Sequence, residues 1–475
     1  VKAPNSLVVA IPSDVRTLDP SAVEDTISML VCNQAFEGLV RFVEGSIQTE
    51  PALAESWTWS ADFRTWTFRL RPGVKFSDGS PLTVGDVVSS FREGKETGGK
   101  CVERGLDHVV FTLEEPNSRF LDVLAQMPYS IRKKGPAGLL GTGPYRIVSR
   151  KIGREIILSR NENSRITPHI GEVTIRVVPF TTLLGKGLVD GEIDLTDSVT
   201  PAILPILRRA PNVKLHHQMG LNTGFLAMNT SRPQLADPRI RTAIAASINR
   251  APMLDRFFPT GFGQAARSLL PPDIHLPKRP DFVPFDQQKA KELMVAAGYR
   301  PSTILRIRPT WAPRPYLPDP PAIAWEIARM LRAVGFSVAE EPTPNTTEYQ
   351  ALKSSGNFDM LVAGWIADDT VPFTFLADNL LSTRIGSTNI PRYSNATFDA
   401  LLHRMRLAAG PTLDSLIDEA EMVVARDVPL APLFHGAQIG AAGEQITGRI
   451  LHPASAMRLA SIARSGGATW KSATG

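Results

Sequence analysis

The sequence predicts an α/β protein with mixed sheets, and three observations carry that prediction. From residue 286 onward, helical and strand-like stretches alternate in a βαβαβ succession, which gives a parallel or mixed sheet with helices on its faces. Two uncharged runs, Phe225-Leu-Ala-Met-Asn229 and residues 360–364, are short enough for single strands. Neither shows the alternation of a half-solvated sheet, so both are expected to be buried on two faces. The length of 475 residues exceeds one ordinary domain and, at roughly 150 residues per domain, suggests two or three.

The elements follow in order. Leu7–Ile11 is an apolar run broken by Pro12, hence a buried strand that leads into the loop Ser13 to Pro20, and a helix through Ile27, Leu30 and Val31 comes next. A hairpin is expected from Ser56–Thr58, the turn Ser60-Ala61-Asp62 and a return strand with Trp66, Phe68 and Leu70 on one face. Val74–Phe76 suggests a short strand between two turns. Thr83 with Asp86 three residues on is a capping box that opens a helix, so a small α/β subdomain forms here. Residues 93–105, rich in glycine and charge, suggest an exposed connection, and His108–Leu113 a strand. Strands are expected at 145–149 and 154–159, a helix over Leu183–Gly191 and a strand over Glu192–Leu195. Asp237-Pro238 starts a helix with Ile240, Ile244 and Ile248 on one stripe. Then come a helix over Asp286–Ala297 closed by Gly298, a strand over Thr303–Arg308 and a helix over 321–334 closed by Gly335. A strand over 336–340, a helix over 347–355, the strand at 359–364 and helices near 395–409 and 412–427 complete the chain.

Composition excludes several function classes. Hydrophobic content of 43% and charged content of 21% are globular, and no apolar run approaches the ~18 residues of a membrane span. The net charge of +5 comes without basic stretches interleaved with aromatics, which argues against nucleic acid. The two cysteines, Cys32 and Cys101, lack zinc-site spacing and fit either one disulfide or two free thiols. His216 and His217 are poorly spaced as a metal pair, and neither a metal nor a cofactor is expected. Gly141-Thr-Gly-Pro-Tyr145 leads into a strand and lacks a phosphate-loop pattern. Neither a GxSxG elbow nor an HExxH motif occurs. The chain begins Val1-Lys2 with no initiator methionine, as expected for a processed secreted protein or a trimmed chain.

One stretch stands apart: Asp359-Met-Leu-Val-Ala-Gly-Trp365-Ile-Ala-Asp368-Asp369, an apolar run ending in an indole and two carboxylates. With the strand ending at 364, Trp365 and Asp368 fall past its carboxyl end, where open α/β sheets collect ligands. The alternatives are a solvated loop that happens to contain Asp-Asp, or a hydrolase using Asp368 and Asp369 as acid and base.

Several motifs together carry a family resemblance. They are Thr17-Leu18-Asp19-Pro20, Phe36-Glu37-Gly38-Leu39-Val40, Pro51-Ala-Leu-Ala-Glu-Ser-Trp57, and Thr67-Phe-Arg-Leu-Arg-Pro-Gly-Val-Lys-Phe-Ser-Asp-Gly79. Gly141-Thr-Gly-Pro-Tyr145, Gly191-Glu-Ile-Asp194, Asp237-Pro-Arg-Ile-Arg-Thr-Ala243 and Pro429-Leu-Ala-Pro-Leu433 continue the series. In that order the chain resembles the periplasmic solute-binding proteins of peptide/nickel ABC importers, family 5. The resemblance implies a type II periplasmic-binding-protein fold whose two lobes close by a hinge over a small-molecule ligand. Lobe I would hold 1–33, 145–220 and 441–475, with 34–144 as an extra α/β subdomain, and lobe II would be 221–440. It implies a monomeric, non-enzymatic periplasmic receptor, its leader removed, which captures short peptides or peptide-like solutes and delivers them to a membrane permease. An opine, a sugar conjugate or a chelated metal such as nickel are the alternatives. Carried over residue by residue, Asp368 would hold the peptide ammonium, with Trp365 packing nearby and Asp369 beside it. Thr17, Leu18, Asn222 and Phe225 complete the candidate lining. Arg308, Arg314 and Arg384 are candidates for a carboxylate counter-charge. The chain departs from the pattern at Val371, where an aspartate commonly precedes the proline. It also lacks a histidine after Trp365 until His403, against the nickel alternative.

Overall fold

The computed structural model describes residues 5–136, 138–200, 202–259, 261–275, 282–367, 369–454 and 457–465. The chain divides into two compact units, Val1–Gln218 with Gln438–Gly475, and Met219–Ala437. It passes between them twice, the second time within the long strand Leu430–Gly443.

The first unit is built on a sheet ordered Tyr145–Lys151, Glu155–Arg160, Glu172–Val177, Ser6–Ile11, Leu195–Thr196 and then the last residues of the long strand. Ser6–Ile11 runs parallel to Glu172–Val177 and to Leu195–Thr196, with Val9 opposite Ile175 on one side and Leu195 on the other. Leu7, Val9, Ile11, Ile156, Leu158, Val173 and Ile175 are buried in one core. The helix Thr26–Ala35 starts where expected, Asp25 Oδ1 accepting from the Ile27 and Ser28 amides at 3.1 and 2.8 Å. That satisfies two of the donors a helix start leaves unpaired.

A separate antiparallel sheet, ordered Ala54–Trp59, Thr65–Leu70, His108–Leu113 and Gly99–Arg104, closes over Trp66, Phe68, Phe111 and Phe120. The Thr83–Asp86 capping box forms at the head of helix Val84–Arg92. Two expectations fail here. Residues 99–104 are not a connection but an edge strand, with Lys100 opposite Thr112 and Val102 opposite Val110. Being solvated along one edge, it tolerates the charges that make it look like a loop. Val74–Phe76 supplies only an isolated bridge, Lys75 to Pro81, because the two turns flanking it leave no room for a ladder.

The second unit's sheet is ordered from the first residues of the long strand through Asn222–Met228, Met360–Ile366 and Ile304–Pro309 to Ser337–Glu340. Asn222–Met228 is antiparallel to both neighbours, whereas Ile304–Pro309 is parallel to Met360–Ile366 and to Ser337–Glu340. Both faces are covered. Phe225, Ala227, Leu361 and Ala363 meet helices Pro372–Leu380, Ala396–Met405 and Gly410–Asp427. Leu226, Met228, Met360 and Val362 meet helices Pro238–Ala246, Gln287–Ala296 and Pro320–Val334. Burial on both sides is why these strands lack alternation. Gly335 closes the Pro320–Val334 helix in the left-handed region, at φ 111°. Ile248 lies beyond helix Pro238–Ala246 but is buried with Ile240 and Ile244 in the same core.

Both cysteines are free thiols, Cys32 buried and Cys101 half-buried, and burial pushes each up to about 12. No helix among the described residues is long and apolar enough to cross a membrane.

Candidate functional site

The parallel pair Ile304–Pro309 and Met360–Ile366 releases two loops at one edge of the second unit's sheet, 310–319 and 367–371. The Thr310 amide donates to Val362 O at 2.8 Å, which turns the first loop back over the sheet. What lets it lie there is glycine on three strands. A Cβ on Gly224 would stand 2.8 Å from Tyr316 O, on Gly364 2.3 Å from Tyr316 Cε2 and on Gly436 2.2 Å from Pro315 O. Glycine in a strand interior marks such a close backbone approach. Pro315–Leu317 therefore rests on a flat saddle, and the mutual Arg314–Leu317 backbone bonds, both 2.9 Å, hold Arg314 at its rim.

The strand expected to end at 364 continues to Ile366, so Trp365 is a strand residue opposite Thr223 and not a loop residue. The carboxyl-end placement fails by two residues because Asn222 and Thr223 supply partners to the last positions. The Trp365 ring is half-buried against the Phe225 core, and its indole Nε1–H, though buried, has no hydrogen-bond partner among the described residues. Thr370 Oγ1, five residues on, is in the same condition. Buried donors and acceptors are nearly always paired, so these two, close together in the chain, are exceptions. Asp369 Oδ1 accepts from the Val371 amide at 2.8 Å, a local turn that pins the loop ahead of helix Pro372–Leu380. Asp368 lies outside the described residues.

Of the three candidate arginines only one is left without an acidic partner. Arg308 is paired with Glu341 and, at 2.9 Å, with Glu348. Arg384, in the short helix Ser382–Arg384, has Asp378 at 3.7 Å. Arg314 stacks over Trp311 with its guanidinium carbon 5.5 Å from the ring centre, and no carboxylate among the described residues stands within ion-pair distance of it. A guanidinium on an indole face is positioned but not neutralised.

Asn222 and Phe225 are engaged inside the unit. Asn222 Nδ2 donates to Gly436 O at 3.0 Å and its Oδ1 accepts from the Gly436 amide at 2.8 Å, so its amide braces two strands. Phe225 is fully buried in the core, where its ring meets apolar side chains. His435, beside them, is buried and donates through Nδ1 to Asn222 O at 2.8 Å. Burial holds its pKa down to about 4, so it is neutral. Thr17 and Leu18 stand in the first unit, half-buried in the loop after Ser6–Ile11. Thr17 Oγ1 accepts from the Asp19 amide at 3.0 Å, and Leu18 packs against that unit's core. No local pattern in the sequence marks Trp311, Tyr316 or Thr370 as site residues. The strand glycines Gly364 and Gly436 were the available signal.

An α/β pair of units threaded by two chain crossings, with sheet edges finished by loops that hold open polar groups, defines a bilobed binding-protein architecture. The family model for bacterial extracellular solute-binding proteins, family 5 (middle), matches residues 48–387. The chain belongs to that family. It is 28% identical to heme-binding protein A of Haemophilus influenzae, over 91% of this chain and 87% of that protein. It is 27% identical to a dipeptide-binding protein of Pseudomonas aeruginosa, over 84% of each. The structure of HbpA2 from Haemophilus parasuis has the same fold, with a TM-score of 0.88 at 22% identity over 97% of this chain and 100% of that one. The chain is thus a periplasmic solute receptor of an ABC importer, a class that binds and does not catalyse.

Proposed function

We propose that this receptor captures short peptides and hands them to its permease, and that the ligand lies along the edge formed by 310–319 and 365–371. Asp368, with Asp369 beside it, would take the peptide ammonium, and Arg314 the terminal carboxylate. Trp365 would donate to a backbone carbonyl. The observation that carries this reading is Arg314, a stacked guanidinium with no acidic partner among the described residues, on a loop adjoining an acidic stretch of sequence. Opposite charges at one edge suit a zwitterion, and charge-assisted hydrogen bonds are roughly twice as strong as neutral ones. The dipeptide-binding relative supports the same ligand class. In this reading lobe I is 1–33, 145–220 and 441–475 with the subdomain 34–144, and lobe II is 221–440.

Native mass spectrometry of the purified protein tests it. A ladder of peptide masses of similar length is expected, and a single non-peptide mass would overturn the peptide assignment. A second reading, an anionic conjugate or chelate, is favoured by Arg314 together with the heme-binding relative. Such a ligand would need Arg314 but not Asp368.

A further inference from the structure

The motif Phe36-Glu37-Gly38-Leu39-Val40 belongs to the first unit, where it lines a cavity of about 250 Å³ bounded only by residues of that unit. At ~30 Å³ of liquid volume per water, that is room for about eight waters or a solute of similar bulk. Its charged lining is brought together from distant parts of the chain. Strand Val40–Phe42 pairs with Thr49–Pro51 and sets Arg41 opposite Glu50. Gln34, near the end of helix Thr26–Ala35, donates to Met457 O at 3.0 Å and accepts from the Leu459 amide at 2.9 Å, which fixes Arg458 between them. Glu44 lies just past the strand, and Phe36, Val40, Phe42, Met127 and Ile166 supply apolar surface.

The charges of this cavity are unevenly matched. Glu37 is fully used, its Oε1 taking Arg165 at 2.6 Å and its Oε2 the Thr142 hydroxyl at 2.9 Å. Arg41 and Arg458 share a single acceptor: Glu50 Oε1 is 2.7 Å from Arg41 Nε and 3.5 Å from Arg458 Nη1. Arg458 also donates to Phe42 O. No second carboxylate among the described residues stands within ion-pair distance of either guanidinium, and each carries five N–H donors. Glu44, in turn, has the Ser461 hydroxyl at 2.6 Å and, among the described residues, no Lys, Arg or His within ion-pair distance. Two guanidiniums on one carboxylate, a carboxylate served by a hydroxyl, and apolar side chains around the same space form a complement to a small zwitterion with an apolar side group.

We propose that this cavity is a second binding site, one that takes a free α-amino acid with an apolar side chain. Arg41 and Arg458 receive its carboxylate, Glu44 its ammonium, and Phe36 and Met127 its side chain. Such a site stands whether or not the second unit takes peptides. The test is calorimetric titration of the full chain with L-leucine and with leucinamide, which lacks the carboxylate. Leucine is expected to bind the wild type, and leucinamide to bind it about 10-fold or more weakly, as loss of a charge-assisted bond implies. Glu44→Gln should weaken leucine by a similar factor, and Arg314→Ala should leave leucine within about twofold. Absence of leucine binding, leucinamide bound as well as leucine, or equal leucine affinity in wild type and E44Q would overturn the assignment. Loss of leucine binding in R314A would place the amino acid at the second unit's edge and overturn it too.

Discussion

The two units finish the same kind of sheet edge in opposite ways. In the first, the 12–20 loop satisfies itself: Ser28 Oγ accepts from the Arg16 amide, Thr17 serves Asp19, and Asp14 is held by Arg150 and Gly153. In the second, the Trp365 indole N–H and the Thr370 hydroxyl are unpaired and Arg314 is without a carboxylate among the described residues. A self-satisfied loop is pre-shaped, whereas on the proposed reading the ligand completes the unpaired groups. The difference then says where affinity would be stored, since an unmade hydrogen bond on a buried group costs about 1–3 kcal/mol until a partner supplies it.

The comparison separates residues that form the edge from residues that lie beneath it. Phe225→Ala should cost about 3–5 kcal/mol of stability, as truncation of a fully buried ring does. The folded fraction should keep its ligand affinity, which chemical denaturation paired with calorimetric titration checks. Glu421 tests whether every orphan in the second unit belongs to the ligand. It is buried in the core with neither oxygen in good hydrogen-bond geometry to a described residue, and burial pushes its pKa to about 7 against the ordinary 4.5, the nearby Ser268 hydroxyl, His275 and Leu270 backbone offsetting part of the rise. A folded-state pKa raised above the unfolded one gives stability that is complete below pH 4.5 and is lost as pH rises through 7. The loss is on the order of 3 kcal/mol at pH 8. Glu421→Gln should flatten that pH profile of the melting temperature and leave binding unchanged.

Within the edge itself, Arg314→Ala should weaken ligand binding about 10- to 100-fold, the cost of a hydrogen bond to a charged group. Arg308→Ala should stay within about threefold because Glu341 and Glu348 already neutralise it. Comparable losses for the two arginines would remove the distinction between open and closed charge. On the first unit, Asp14→Asn should cost about 1–2 kcal/mol of stability through the weakened bonds from Gly153 and Arg150. The wild-type contribution should fade as pH falls through the Asp14 pKa. Burial raises that pKa, but the Gly153 and Arg150 bonds outweigh burial and hold it below 3.8.

Much of the fold was legible because local rules agreed with tertiary placement. The Thr83 capping box, the Gly335 stop and the apolar runs at 225–229 and 360–364 each rest on a few adjacent residues. The failures share a cause. Gly99–Arg104 is charged because it lies on an edge, and Leu430–Gly443 carries Pro432 at the site where its register with Asn222–Met228 shifts. The first looks like a connection and the second carries no strand pattern until their neighbours are known. Site residues divided the same way. Trp365 stood out as the end of an apolar run. The saddle of Gly224, Gly364 and Gly436, which positions Arg314, joins three strands far apart in sequence.

The most direct test of the central claim, opposite charges at one sheet edge, is a double-mutant-style titration with blocked ligands. A tripeptide, its N-acetyl form and its C-terminal amide are each titrated into the wild type and into Arg314→Ala. The account predicts that amidation weakens wild-type binding about 10-fold or more and has no further effect on R314A, while acetylation weakens both proteins alike. Amidation that costs the two proteins equally would contradict it.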